Sequence, residues 1–182
     1  MTTYIALLRA VNLGGRNRVP MAELRELLGK LGFQDARTLL QSGNVVFDSD
    51  DEGGARLEST LEDALEKRLG VATDFFVRTA DEWNAIVANN PFPDAAEGDP
   101  SHLLVVVLKR APRRESIASL QESVPGREAV YVDGRCAYIV YPDGIGRSRL
   151  TSALIEKKLG TRGTGRNWNT VLKIRDLAES SA

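Results

Sequence analysis

Residues equipped for chemistry are few in this chain. There is one histidine, His102, at the mouth of an apolar run, and one cysteine, Cys136, at the start of another. Histidine is the usual acid or base near neutral pH, but a strand-end residue with a local hydrogen bond is the simpler reading of His102. Cys136 has only Arg135 as a basic neighbour in sequence, which favours a buried, inert thiol over a nucleophile. A serine triad would have to enlist His102, and no G-x-S-x-G elbow occurs. His, Cys and Asp do not recur at ligand spacing, so no metal and no cofactor is expected.

Arginine and asparagine near glycine are abundant instead. In Asn12-Leu-Gly-Gly-Arg-Asn-Arg18 the amides of Gly14 and Gly15, with Arg16 and Arg18, could meet an anion at a helix start. Ser42 and Asn44 flank a tight turn. In Gly144-Ile-Gly-Arg-Ser-Arg149, Ser148 reads as a helix cap between Arg147 and Arg149. Its Gly146-Arg147-Ser148 step resembles the end of a P-loop. However, Tyr141 stands where that pattern needs glycine, and arginine replaces lysine, so it is no nucleoside-triphosphate motif. For each loop a plain capped turn competes with an anion site.

Arg166-Asn167-Trp168-Asn169-Thr170 reads first as a capped helix start with Trp168 in the core. It also has the chemistry for stacking on a base and gripping a phosphate. Arg9 lies inside the apolar strand read from Tyr4 to Val11, where a charge is costly unless paired; an ion pair with an acid of the central segment competes with a functional role. Asp50-Asp51-Glu52 could gather a cation but reads more simply as a solvated acidic loop.

Charge is segregated. Met1 to Phe47 carries a net +3, Asp48 to Pro100 a net -10, and Ser101 to Ala182 a net +6, against -1 overall. Gly144 to Arg175 has eight basic residues and one acid. A near-zero total thus hides a local cationic surface. The 42% apolar and 27% charged composition is that of a folded globular chain rather than a disordered one. The lone cysteine fits a reducing, cytoplasmic setting. Tyr4 to Val11 lacks a basic leader and breaks at Arg9, so it predicts a strand and not a signal peptide. No apolar stretch is long enough to span a bilayer.

The elements that must position these loops follow from periodicity. Tyr4 to Val11 predicts a strand buried on both faces. Met21, Leu24, Leu27, Leu28 and Leu31 predict a helix. Arg37 to Gln41 and Val45 to Asp48 predict strands joined at Ser42-Gly43-Asn44. Leu57 to Leu69 predicts a second helix, Thr73 to Arg78 a strand, and Asp81 a cap for a helix carrying Trp83. The same order returns with His102 to Leu108, Arg113 to Gln121, Glu128 to Val132, Cys136 to Tyr141, Leu150 to Leu159, Thr161 to Thr164 and a last helix with Val171 and Leu177. Each half thus reads β-α-β-β-α-β-α. The expected class is α+β: two ferredoxin-like, split βαβ repeats with mixed or antiparallel sheets and helices on one face. The expected division is residues 1–90 and 102–182, with the proline-bearing stretch 91–101 as linker.

Four stretches in order carry a resemblance. Ala6-Leu-Leu-Arg-Ala-Val-Asn-Leu-Gly-Gly15, Gln41-Ser-Gly-Asn-Val-Val-Phe47, Asn90-Pro-Phe92 and Arg166-Asn-Trp-Asn-Thr170 resemble the bacterial family called domain of unknown function 1697, from Tyr4 to about Leu177. The resemblance implies a small stand-alone protein of two intertwined ferredoxin-like subdomains. It implies no activity, cofactor or catalytic residue.

The leading expectation is therefore a binding module for a nucleic acid or a phosphorylated small molecule. Its candidate ligand residues are Arg9, Asn12, Gly14, Gly15, Arg16, Ser42, Asn44, Arg147, Ser148, Arg166, Asn167, Trp168 and Asn169. An enzyme acting on a small phosphorylated or carboxylated substrate is the second reading, for which donors exist but no evident base or nucleophile. A protein-interaction module using the acidic middle segment is the third.

Overall fold

The computed structural model describes residues 1–51 and 53–180, so Glu52 of the acidic run lies outside the described residues. The chain divides into two compact units, Met1–Ala85 with Lys173–Ala182, and Ile86–Leu172.

The first unit runs β1 (Thr2–Leu8), α1 (Met21–Lys30), β2 (Gln34–Leu39), β3 (Asn44–Ser49), α2 (Gly54–Leu69), β4 (Phe75–Thr79) and α3 (Ala80–Ala88), whose last residues belong to the second unit. Its sheet has the order β2-β3-β1-β4, antiparallel throughout. Strand alternation sends Tyr4, Ala6 and Leu8 to one face. There they join Leu28 of α1, Leu61 of α2 and Phe47 in a single core. Ile5, Leu7 and Phe76 alternate to the other face and are buried too. That is why the β1 run reads as continuously apolar.

The second unit starts at Ile86 within α3, and α4 (Pro93–Gly98) with most of a 3₁₀ turn (Pro100–His102) occupies the stretch read as a linker. It continues with β5 (Leu103–Leu108), α5 (Arg114–Glu122), β6 (Ala129–Asp133), β7 (Cys136–Val140), a 3₁₀ turn (Ile145–Arg147), α6 (Ser152–Leu159), β8 (Gly163–Asn167) and α7 (Trp168–Glu179). From Lys173 onward α7 belongs to the first unit. The sheet order is β6-β7-β5-β8, again antiparallel. Val106, Leu120, Ile139 and Ile155 anchor its helix-side core. Among the described residues the fold is thus mixed α+β, with two four-stranded antiparallel sheets and seven α-helices.

Several local expectations shift. β1 stops at Leu8, so Arg9 stands outside the strand. The last strand is Gly163–Asn167 and not Thr161 to Thr164, because Leu108 pairs with Gly163, while the Thr161 hydroxyl accepts the amide of Arg110 at 3.1 Å. Asp81 does not cap α3. Thr79 does, in a reciprocal box: the Glu82 amide donates to Thr79 Oγ1 at 3.1 Å, and the Thr79 amide to Glu82 Oε2 at 2.8 Å. Nor does Ser148 cap α6. Its hydroxyl is bonded to Glu128, and Thr151 accepts from the Leu154 amide at 3.2 Å.

Candidate functional site

The β1–α1 loop in the first unit is ordered by one asparagine. Asn12 Nδ2 donates to the carbonyls of Val19 at 2.9 Å and Gln41 at 2.7 Å, and Asn12 Oδ1 accepts from the Val19 amide at 2.8 Å. These bonds pin both ends of the loop and tie it to the turn between β2 and β3. Leu8 donates its amide to the Gly43 carbonyl at 2.9 Å, a second tie. Gly43 has φ 84, and a Cβ there would meet Leu8 Cβ and Val11 Cγ2 at 2.9 Å. Only glycine fits so close an approach.

Left-handed backbone recurs through the loop, at Ala10, Asn12, Gly14, Gly15 and Asn17. Such conformations cost non-glycine residues energy and persist only where surroundings enforce them. Asn12 is therefore a brace and not a free donor. Asn44 is another: it is buried, and its Nδ2 donates to Leu39 O at 2.7 Å and to Ser42 Oγ at 3.1 Å.

Arg9 finds the acidic partner that its position called for. Its Nη1 lies 3.5 Å from Asp74 Oδ2, its amide donates to the Asp74 carbonyl, and Thr73 Oγ1 donates to its carbonyl. Asp74 lies in the acidic central segment. Arg16 and Arg18, by contrast, are exposed, and among the described residues neither has an ion-pair partner. A cavity of about 610 Å³ lies at the start of α1, lined by Met21, Arg25, Thr38 and Gln41 among others. Gln41 is the residue whose carbonyl Asn12 holds.

The C-terminal candidates lie in the second unit and engage separate partners. Ser148 bonds Glu128 and accepts from the Leu150 amide at 3.0 Å. The Ser148 hydroxyl first, then the amides of Glu128 and Gly126, hold the Glu128 carboxyl below its ordinary range. Arg147 is exposed. Arg166 is buried, its Nη1 donating to Thr164 Oγ1 at 2.8 Å and to the Gly165 carbonyl at 2.9 Å. Desolvation pushes its pKa down to about 10, still cationic at neutral pH. Asn167 Oδ1 accepts from the Thr170 amide at 3.0 Å and so caps α7, while Trp168 is buried and Asn169 exposed. The motif that could have stacked on a base is a capped helix with a core tryptophan.

His102 also keeps to a local role, Nδ1 lying 2.7 Å from Asp99 Oδ2. Cys136 is buried. Among the described residues, no three His, Cys, Asp or Glu side chains are grouped to hold a metal ion, and no helix is long and apolar enough to cross a membrane.

One pair escaped the sequence reading. Arg78 in β4 is buried, donates Nη1 to the Val77 carbonyl at 2.8 Å, and lies 3.8 Å from Glu58 of α2. Its place matches that of Arg166. Arg78 lies opposite Ile5 and precedes the cap Thr79; Arg166 lies opposite Val105 and precedes the cap Asn167. The signal was in the sequence, an arginine just before a capping residue in each half.

Fold and geometry together define a small α+β protein with twin four-stranded antiparallel sheets and exposed arginines on its loops. The chain belongs to the family described as protein of unknown function (DUF1697), whose model matches residues 1–138. The Arg166–Thr170 motif lies beyond that match. Comparison with curated proteins finds no match. Among solved structures the chain is similar to a conserved bacterial protein from Streptococcus pneumoniae, with 24% identity and a TM-score of 0.76 over 97% of this chain and 98% of that one. At that identity the likeness is one of fold.

Proposed function

We propose that this protein is a binding module for an anionic ligand, a nucleic acid or a phosphorylated small molecule, which it engages through the β1–α1 loop. The observation that carries this reading is the contrast within that loop. Arg9 is held by Asp74, whereas Arg16 and Arg18 are exposed and without an ion-pair partner among the described residues, on a backbone that Asn12 fixes. A preformed backbone spares the ordering cost of the loop itself when its guanidinium groups meet a phosphate. Arg147 offers a further exposed guanidinium in the second unit. Arg166 and Trp168 contribute less to this reading, because both are buried.

The matching element orders of the halves, and their matching strand orders, support reading each as a ferredoxin-like repeat, with residues 1–90 and 102–182 as the repeats and 91–101 between them. The single buried Cys136 supports a cytoplasmic setting.

Filter binding to single strands, duplexes and structured RNA, beside calorimetry with nucleotides and sugar phosphates, tests the function across a salt series. Micromolar affinity that weakens steeply with salt is expected for a polymer ligand. R16A/R18A should weaken it and flatten the salt dependence. Asn12→Ala should weaken it without removing a charge, by releasing the loop. If nothing anionic binds even at low salt, the reading fails.

A further inference from the structure

The second unit holds a cavity of about 410 Å³ where the segment after β5 meets the turn after α6. That volume lies within the range of small-molecule sites, which begins at roughly 300 Å³. Its lining includes Arg110, Arg113 and Ser116 on one side and Leu159 and Thr161 on the other, with Pro112 between the arginines in sequence. None of these belongs to the loops considered above, and the inference stands whether or not the β1–α1 loop binds anything.

Charge marks this cavity. Arg9, Arg37, Arg68, Arg127 and Arg175 each lie beside a carboxylate. Arg110 and Arg113 are exposed, and among the described residues neither has an ion-pair partner. Residues 109–116 contain four basic side chains against Glu115, and residues 156–162 contain three against Glu156. Basic residues thus outnumber acids in both segments, and of them Arg110 and Arg113 line the cavity. Two uncompensated guanidinium groups at one concavity raise the local potential, and an oxyanion that bridges them relieves it.

The backbone around the site is fixed in advance. Thr161 is buried, and its hydroxyl accepts from the Arg110 amide at 3.1 Å. The Lys109 amide donates to the Arg162 carbonyl at 2.9 Å. These bonds bind the two walls together, so Thr161 acts as a positioning residue. Pro112 stiffens the approach to α5. Pro112 is half-buried and Ala111 exposed, and together they offer apolar surface for a carbon skeleton. No aromatic side chain lines the cavity, so a stacked base finds no platform there.

We propose that this cavity binds a small phosphomonoester, with Arg110 and Arg113 gripping the phosphate and Ala111 and Pro112 receiving the body of the molecule. Affinity then depends on the phosphate and its carbon skeleton together.

Nuclear magnetic resonance titration of the full chain with ribose 5-phosphate, ribose, inorganic phosphate and a short single-stranded DNA tests this. Ribose 5-phosphate should shift the amides of Ser116, Gly160 and Thr161, and ribose should not. R110A/R113A should weaken that binding by about tenfold or more, with an unchanged melting temperature because both side chains are exposed. R16A/R18A should leave it intact, which separates this site from the loop of the first unit. Undiminished binding in R110A/R113A overturns the proposal. So does inorganic phosphate binding as tightly as ribose 5-phosphate, tighter binding of the DNA, or no shift with any of them.

Discussion

β4 and β8 hold the same place in their sheets, at the edge beside the first strand of each unit, but they are sealed differently. An unpaired edge needs cover for its free amides. In the first unit, α2 supplies two carboxylates one turn apart: Glu58 Oε1 accepts from the Val77 amide at 2.9 Å, and Glu62 Oε1 from the Phe75 amide at 2.8 Å. In the second, Glu156 of the shorter α6 accepts from the Gly163 amide at 3.2 Å.

Side-chain volume shifts between strands as well. Opposite Leu8 and Ala6 stand Phe75 and Val77, whereas opposite Leu108 and Val106 stand Gly163 and Gly165. Ala6–Val77, a small–large pair, has become Val106–Gly165, a large–small one, while Leu8–Phe75 has become the smaller Leu108–Gly163. The same backbone thus tolerates two solutions, provided that cross-strand volume and edge amides are both accounted for.

The largest test strikes the carboxylates. Glu58→Ala should cost about 3–5 kcal/mol, because it strips a buried arginine and a buried amide of one partner. Glu156→Ala should cost less, about 1 kcal/mol for the Gly163 amide that it releases. Urea denaturation measures both, and equal losses would break the comparison. E58L/R78M should regain only part of the loss, since an apolar pair can replace a buried ion pair but leaves the Val77 amide without its acceptor.

Gly163→Ala comes next. Its Cβ would meet Val106 Cγ1 at 2.8 Å, Leu108 Cδ2 at 2.9 Å and the Val107 carbonyl at 3.1 Å. Overpacking of this kind should cost about 1–3 kcal/mol. A thermal melt no lower than that of the parent chain would show that the volume exchange across β5 and β8 has slack.

The smallest effect is a pH dependence confined to the second unit. The folded Glu128 carboxyl titrates below its ordinary 4.5, chiefly through Ser148. A carboxyl with a depressed folded pKa adds stability that is fully present above its unfolded value and is lost as pH falls through the folded one. Ser148→Ala should therefore destabilise the chain more at about pH 7 than at about pH 3. A loss that is the same at both would detach Ser148 from the titration of Glu128.

Much of the fold was legible because its signals are local. The β1 run, the leucine spacing of α1 and α2, and the glycine at the β2–β3 turn predicted the right kinds of element, with ends that moved by a few residues. The caps were misread where two candidates stood close together. Ser148 and Thr151 are both good caps, and only the distant Glu128 decides between them by occupying Ser148. The candidate site was legible as a set of residue types and not as a set of roles. Asn12 and Asn44 look like donors in sequence, but each is consumed by backbone carbonyls that the chain brings from elsewhere. Arg78 went unnoticed because a charge at a strand end usually meets water.

Composition, periodicity and spacing determined by themselves that this chain has two similar α+β halves, segregated charge, one histidine and one cysteine. Those properties depend on neighbours a few residues apart or on sums over a segment. Tertiary structure alone decided which arginines are spent and which are available. Arg9 meets Asp74 and Arg78 meets Glu58, while Arg16, Arg18, Arg110 and Arg113 remain exposed. Pairing of that kind joins residues as far as 65 positions apart. Coulomb attraction acts over ångströms in space and is blind to distance along the chain.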